Sequence, residues 1–443
     1  MTIQLSDHFT YGRLLRFTFP TIVMMIFTSI YGVVDGIFVS NYAGKTAFAA
    51  INLIMPYLMV FGTIGFMIGS GGTALISMTL GMGNSKKANE IFSLLTYTAV
   101  IGAVMLTIGS IAFLRPAAMA LGATGQILED CVTYGVIVQL ALPAYVLQYA
   151  FQSFCITAEK PNLSLTMMVV AGVCNIVLDA LFVAVFHWGL VGAAVATAFS
   201  QYLGAVIPFV YFLRPNDSLL RLGKCRFDGK ALLRTCTNGA SELMSNVSMS
   251  LVGMLYNLQL IQYAGEDGIA AYGVIMYVNF IFMSVFIGFV IGGAPIIGYN
   301  YGAQNHRELQ NIFRKSLILI GIFATVMTVA AIGMARPLAK IFVGYDPELV
   351  EMTTRGFIIY SLSFLLSGFN FFGSSMFTAL NNGLVSAVIS FVRTVICQIA
   401  AVMLLPMIFG LDGIWWSIVA AELAALILTV ICFLKFKERY HYM

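Results

Sequence analysis

The sequence predicts an all-α polytopic membrane protein: twelve transmembrane helices in two parallel-repeat six-helix bundles. Three observations carry this reading. First, 60% of the 443 residues are hydrophobic and only 9% are charged, against about 25% charged in an ordinary soluble domain. Second, apolar runs of membrane-spanning length recur along the whole chain. Third, the two halves repeat each other at a fixed offset of 221 residues. So little charge excludes a secreted enzyme, a nucleic-acid module or a disordered scaffold. The seven cysteines are dispersed without a C-x-x-C pair, so they are small buried hydrophobes and not a disulfide framework.

A spanning helix needs about 20 mostly apolar residues. Twelve runs qualify, at 14–40, 48–80, 91–114, 131–157, 162–186, 190–213, 231–264, 268–302, 312–335, 350–380, 384–409 and 411–434. They are far longer than barrel strands of about 9–11 residues, so the backbone satisfies itself as helices. The first run is too long for the apolar core of a signal peptide. Lys and Arg divide 17 to 5 between the two sets of loops and termini, with Arg393 inside a span. By the positive-inside rule both termini are cytoplasmic. The polar 214–230 stretch reads as a cytoplasmic linker between lobes 1–213 and 231–443.

The repeat runs without a gap. Tyr42-Ala43-Gly44 meets Tyr263-Ala264-Gly265, Gly71-Gly72 meets Gly292-Gly293, Arg115-Pro116 meets Arg336-Pro337, and Gly189-Leu190 meets Gly410-Leu411. Six spans per copy put both copies in the same orientation, a hallmark of secondary transporters that rock one bundle against the other.

Ionisable groups at membrane depth are costly and point to function. Asp35 in span 1, Asn175 and Asp179 in span 5, and Thr197 in span 6 sit at matching depth. With about 1.5 Å rise per residue, they lie roughly 8–11 Å below the outer boundary. Two carboxylates, an amide oxygen and a hydroxyl are hard ligands suited to a hard cation. At the repeat offset they face Tyr256, Ile396, Ala400 and Ile418, so the group exists in one half only. That asymmetry favours an ion or proton site. The alternative is a hydrogen-bond network stapling spans 1, 5 and 6. Glu242, Arg393 and Glu422 lie near the midplane of the second half. Either glutamate can pair with Arg393, or Glu242 contacts substrate cations. Pro20 lies in span 1 before Asp35 and is a candidate hinge. Met and Phe are abundant and can line an adaptable pocket.

The motifs of zinc proteases, serine hydrolases and P-loop ATPases are missing from the sequence. The chain therefore reads as a non-enzyme without a cofactor, driven by an ion gradient of Na⁺ or H⁺.

At this point the chain resembles the multidrug and toxic compound extrusion (MATE) transporters over its full length, with the flavour of bacterial MepA-like members and the DNA-damage-inducible F-like branch. The resemblance rests on the two six-helix halves, Pro20 to Asp35, the stretch GSGGTALISMTLGMGN from Gly69 to Asn84, and Asn175-x-x-x-Asp179 followed by Thr197. It implies that Asp35, Asn175, Asp179 and Thr197 hold Na⁺ or mediate proton coupling while an organic, often cationic and amphipathic, compound leaves. It further implies a monomer in the bacterial cytoplasmic membrane. In span 10, where another branch of the family carries an acid, the nearest polar candidate is Asn370. The rival within transport is a flippase for a lipid-linked precursor, against which the single intramembrane base, Arg393, argues.

Overall fold

The computed structural model describes residues 3–443, apart from the side chains of Ile37, Ser40 and Lys45. Twelve helical spans follow in order. They are α1 (Tyr11–Ala43), α2 (Thr46–Gly81), α3 (Ser85–Ala112), α4 (Gly125–Leu140 and Leu142–Thr157), α5 (Pro161–Val185) and α6 (Gly189–Leu213). The second set is α7 (229–264), α8 (266–302), α9 (His306–Val343), α10 (Pro347–Ser361 and Phe364–Ala379), α11 (Gly383–Phe409) and α12 (Leu411–Tyr440).

The helix ends differ from the apolar runs in an instructive way. Spans α3 and α9 start six residues earlier than their apolar runs, because Asn84 and Asn305 cap them by accepting the Lys87 and Glu308 amides. Hydropathy marks the hydrocarbon-facing part of a helix. Capping marks its actual start. The break between α7 and α8 is a single residue, Gly265, at φ 62° and ψ −147°. Its repeat partner Gly44 also has positive φ, at 95°. An L side chain is strained in that region, so glycine occupies both corners.

Spans α4 and α10 are bent, by 54° and 45°. The breaks fall at residue 141 and at residues 362–363, the same register of the repeat. Three π-helical stretches interrupt the spans: Val39–Ala43, Ala180–Val185 and Val392–Cys397. The first begins one turn after Asp35, the second directly after Asp179, and the third contains Arg393. Such wide turns free backbone groups and cluster at functional sites.

The lobes meet along α1, α2, α7 and α8, and mainly near the face that carries both termini. There the backbones touch. A Cβ on Gly81 would collide with the Tyr299 carbonyl, and one on Gly302 with the Met78 carbonyl, its repeat mate. Gly71 and Gly239 repeat the arrangement against the Thr235 and Met67 carbonyls. Asn381 bridges the same face, donating to the Ala74 carbonyl at 2.8 Å and accepting from Asn238 at 2.7 Å.

An N-terminal strap closes over this seam. The Leu5 amide donates to Glu159 Oε1 of the first lobe at 2.6 Å. The Phe9 amide donates to Glu308 Oε1 of the second at 2.8 Å, and His8 Nδ1 contacts Glu308 Oε2 at 2.7 Å. Leu5 and Phe9 are fully buried. Gln310 donates to the carbonyls of His441 and Met443, which places the C-terminus on the same face. The connecting segment after α6 lies against α3, with the Arg221 amide on Asn89 Oδ1 at 2.6 Å and the Gly223 amide on Ser93 Oγ at 3.0 Å.

Candidate cation and substrate sites

Asp35, Asp179 and Thr197 converge around one side chain, Tyr134 of α4. Its ring is within electrostatic reach of both carboxyls, and its hydroxyl faces Thr197. The two carboxyls are close enough to influence each other electrostatically. Asn175 lies one turn before Asp179 on the same face of α5, and both are buried. Three of the four sequence-derived ligands thus come together around Tyr134, and Asn175 extends the α5 side of the cluster.

The hydrogen-bond accounting is unusual. Both Asp179 oxygens, Asp35 Oδ1 and the Asn175 amide nitrogen have no hydrogen-bond partner among the described residues. Buried polar groups are normally satisfied, and each exception asks for an explanation. Oxygen donors from two carboxylates, an amide and a hydroxyl fit a small hard cation, and the carboxylates fit a proton equally well. Among the described residues no group of three or more His, Cys, Asp or Glu could hold a metal ion.

Beside this cluster lies a cavity of about 70 Å³ lined by Met55, Met59, Tyr134, Gln139, Tyr145, Thr197 and Gln201, among others. Tyr134, Gln139 and Gln201 did not stand out in the sequence. Gln201 follows Thr197 by one helical turn, an i, i+4 spacing that puts it on the same face and was the one available signal for it.

In the second lobe Arg393 pairs with Glu422, Nη2 to Oε1 at 2.7 Å, and both are buried. Asn370 donates to Glu422 Oε2 at 2.7 Å and accepts from Thr429 at 3.0 Å. Its amide is therefore engaged inside this network. Glu242 makes no ion pair among the described residues; it is half-buried on α7, one turn before Ser245. Ser245 lines a second cavity of about 170 Å³. Pro20 is buried within the continuous helical part of α1.

Duplicated six-helix lobes with polar clusters at membrane depth define a class: the two-lobe polytopic membrane transporters. The chain belongs to the MatE family, whose profile matches residues 20–181 and again 243–404. Members of this family are transporters and not enzymes. The chain is 27% identical over 410 residues to the multidrug export protein MepA of Staphylococcus saprophyticus, covering 92% of this chain and 90% of that protein. It is 26% identical to MepA of Staphylococcus haemolyticus, over 97% and 94% of the two chains. Among solved structures, an outward-facing multidrug resistance MATE family transporter of the MOP superfamily superposes with a TM-score of 0.91 at 21% identity, covering 99% of this chain and 98% of that one. A MATE transporter in complex with MaL6 gives a TM-score of 0.91 at 20% identity, over 98% and 97%. The twelve helices in two six-helix bundles are the architecture of these structures.

Proposed function

We propose that this protein is a multidrug exporter of the bacterial cytoplasmic membrane, an antiporter that releases organic, often cationic and amphipathic, compounds as Na⁺ or H⁺ enters. The observation that carries the coupling reading is the buried Asp179 carboxyl beside Asp35, with neither of its oxygens hydrogen-bonded among the described residues. Two adjacent carboxylates, Asp179 fully buried and Asp35 half-buried, are tolerable only with a compensating positive charge or proton. The group occurs in one lobe alone, as a directional coupling device requires and a symmetric staple does not.

In this reading lobes 1–213 and 231–443 rock about the 214–230 linker, with both termini cytoplasmic and the protein acting as a monomer. The cation reaches Asp35, Asn175, Asp179 and Thr197 from the outer face. Its binding changes the packing of α1 against α5 and α6, with Pro20 as the hinge. A ligand shifts such an equilibrium only by its differential affinity for the two states. Glu242, one turn before a residue of the second cavity and without an ion partner among the described residues, is the candidate contact for substrate cations, while Asn370, the other substrate candidate, is held by Glu422 and Thr429. The flippase alternative has less support, because Arg393, the intramembrane base it would use, is paired with Glu422.

The test is uptake of ethidium into inverted membrane vesicles under an imposed Na⁺ or pH gradient. Asp35→Asn and Asp179→Asn each abolish gradient-driven uptake while the protein remains folded in the membrane. Full activity in both variants would sink the site assignment. The gradient that drives the wild type identifies the ion.

A further inference from the structure

The larger cavity belongs to the second lobe, and its walls are the repeat counterparts of the first. Met55, Leu58, Gln139 and Gln201 of the first cavity correspond at the 221-residue offset to Met276, Asn279, Tyr360 and Glu422 of the second. Duplication therefore produced two equivalent cavities, and divergence left the first beside uncompensated acids and the second neutral. The first cavity adjoins two carboxyls with little internal compensation. In the second, the Glu422 carboxylate accepts three bonds from Arg393, between 2.7 and 3.0 Å, and one from Asn370. The acid is saturated and the pair carries no net charge. On the cavity wall itself a cation meets Arg393 and no free carboxylate, since Glu242 lies off that wall, one turn before Ser245. An anion meets a guanidinium already neutralised.

The remaining wall is built for flat, uncharged groups. The Tyr256 and Tyr272 rings stack at 5.1 Å with 4° between their planes. The Arg393 guanidinium lies 4.0 Å over the Phe371 ring. Met249, Met276 and Met283 add adaptable sulfur-bearing surface. Three buried polar atoms on this wall, Tyr256 Oη, Asn279 Oδ1 and Ser363 Oγ, have no hydrogen-bond partner among the described residues. Tyr256 and Ser363 are nine-tenths or more buried. At about 170 Å³ the space is tighter than the roughly 300–1,000 Å³ usual for drug-sized ligands, so it suits one compact planar ring system.

We infer that the second-lobe cavity is a binding site for uncharged planar aromatic compounds that carry both a hydrogen-bond donor and an acceptor, separate from the cation-coupling cluster. The aromatic plane packs against the tyrosine stack and the methionines. An amide-like group on the ligand donates to Asn279 Oδ1 and exchanges hydrogen bonds with the Tyr256 and Ser363 hydroxyls. The inference deepens the export reading by naming a substrate class, and it rests on that reading only for its physiological use, since binding is measured directly.

The probe is a diazirine derivative of 2-naphthamide, used on the full-length protein in lipid nanodiscs, with a trimethylammonium analogue beside it. After photolysis, peptide mass spectrometry maps the adducts. The expected result is neutral-probe labelling within residues 245–287 and 360–371, suppressed by excess unlabelled 2-naphthamide and retained in Asp35→Asn. Met276→Trp fills the slot and lowers labelling about ten-fold. The cationic analogue labels this region much less. Labelling spread over the lipid-facing helices, or labelling that neither competitor nor Met276→Trp reduces, overturns the site. Equal labelling by the cationic analogue overturns the ligand class. Competition on the wild type keeps the test decisive even if Met276→Trp misfolds. A failed coupling test at Asp35 leaves this result standing, and the reverse holds too.

Discussion

Glu422 and Asp179 show how one residue type takes opposite roles within a duplicated fold. Glu422 is 1% exposed and saturated by Arg393 and Asn370, so it serves structure. Removing one partner of a buried ion pair leaves an uncompensated charge and costs about 3–5 kcal/mol, whereas exchanging both for apolar groups is often near neutral. Glu422→Gln therefore lowers the thermal midpoint of the purified protein steeply, and Arg393→Met with Glu422→Leu recovers most of the loss. A midpoint for Glu422→Gln equal to wild type would contradict the pairing. Asp179 lacks such partners, so Asp179→Asn loses ion-driven transport without a comparable stability loss. At this scale the sequence was informative where charge stood out. Asp35 and Asp179 were visible because acids are rare in spans and the repeat lacks them in the other half. Tyr134, Gln139 and Gln201 were hidden because neutral polar residues are common in membrane helices. The partner of Arg393 stayed open between Glu242 and Glu422, since depth along separate helices does not fix which faces meet.

Helix shape follows fold position more than local sequence. Spans α4 and α10 bend at equivalent registers, yet only α4 carries a proline there, Pro143, in the first turn after the break. Proline is tolerated in a first turn because the amide it lacks would have no helical partner anyway. Pro143→Ala is thus expected to keep the bend and change stability by less than about 1 kcal/mol. The interlobe glycines behave differently. A methyl on Gly302 runs into the Met78 carbonyl, while a methyl on Gly293, on the same helix, meets open space. Overpacking costs about 1–3 kcal/mol, and replacing glycine by alanine in an open helical position gains up to about 1 kcal/mol. Thermal melts of Gly302→Ala and Gly293→Ala should move in opposite directions. If both shift alike, the backbone contact between α2 and α8 is not tight. Spans and their order were legible because hydrocarbon-length apolar runs leave little choice. The bends, the π-turns and the extended starts of α3 and α9 were not, because they depend on packing and capping and not on hydropathy.

Across the whole molecule, one short segment joins the two lobes on the face that carries the termini. Glu159 and Glu308 belong to different lobes and each accepts a backbone amide of the strap, from Leu5 and Phe9. Any motion that parts the lobes at this face must break one of these anchors, so strap docking and lobe closure are coupled by connectivity. Burial pushes the Glu159 carboxyl above its ordinary value, and the Leu5 amide offsets this only in part. A raised carboxyl binds its proton more tightly in the docked strap than in a free one. The ionised form therefore weakens docking above that raised value, and docking strengthens as pH falls through it. Hydrogen exchange of the peptide spanning residues 3–10, corrected for the intrinsic pH dependence of exchange, reads this directly. Protection should rise as pH falls, and Glu159→Gln should flatten the dependence while keeping the strap docked. Glu308→Ala, which removes the acceptor of the Phe9 amide, should bring exchange toward that of a free peptide. Unchanged protection in Glu308→Ala would show that Leu5 and Phe9 hold the strap by burial alone, and would remove the acidic anchors from the account of lobe closure.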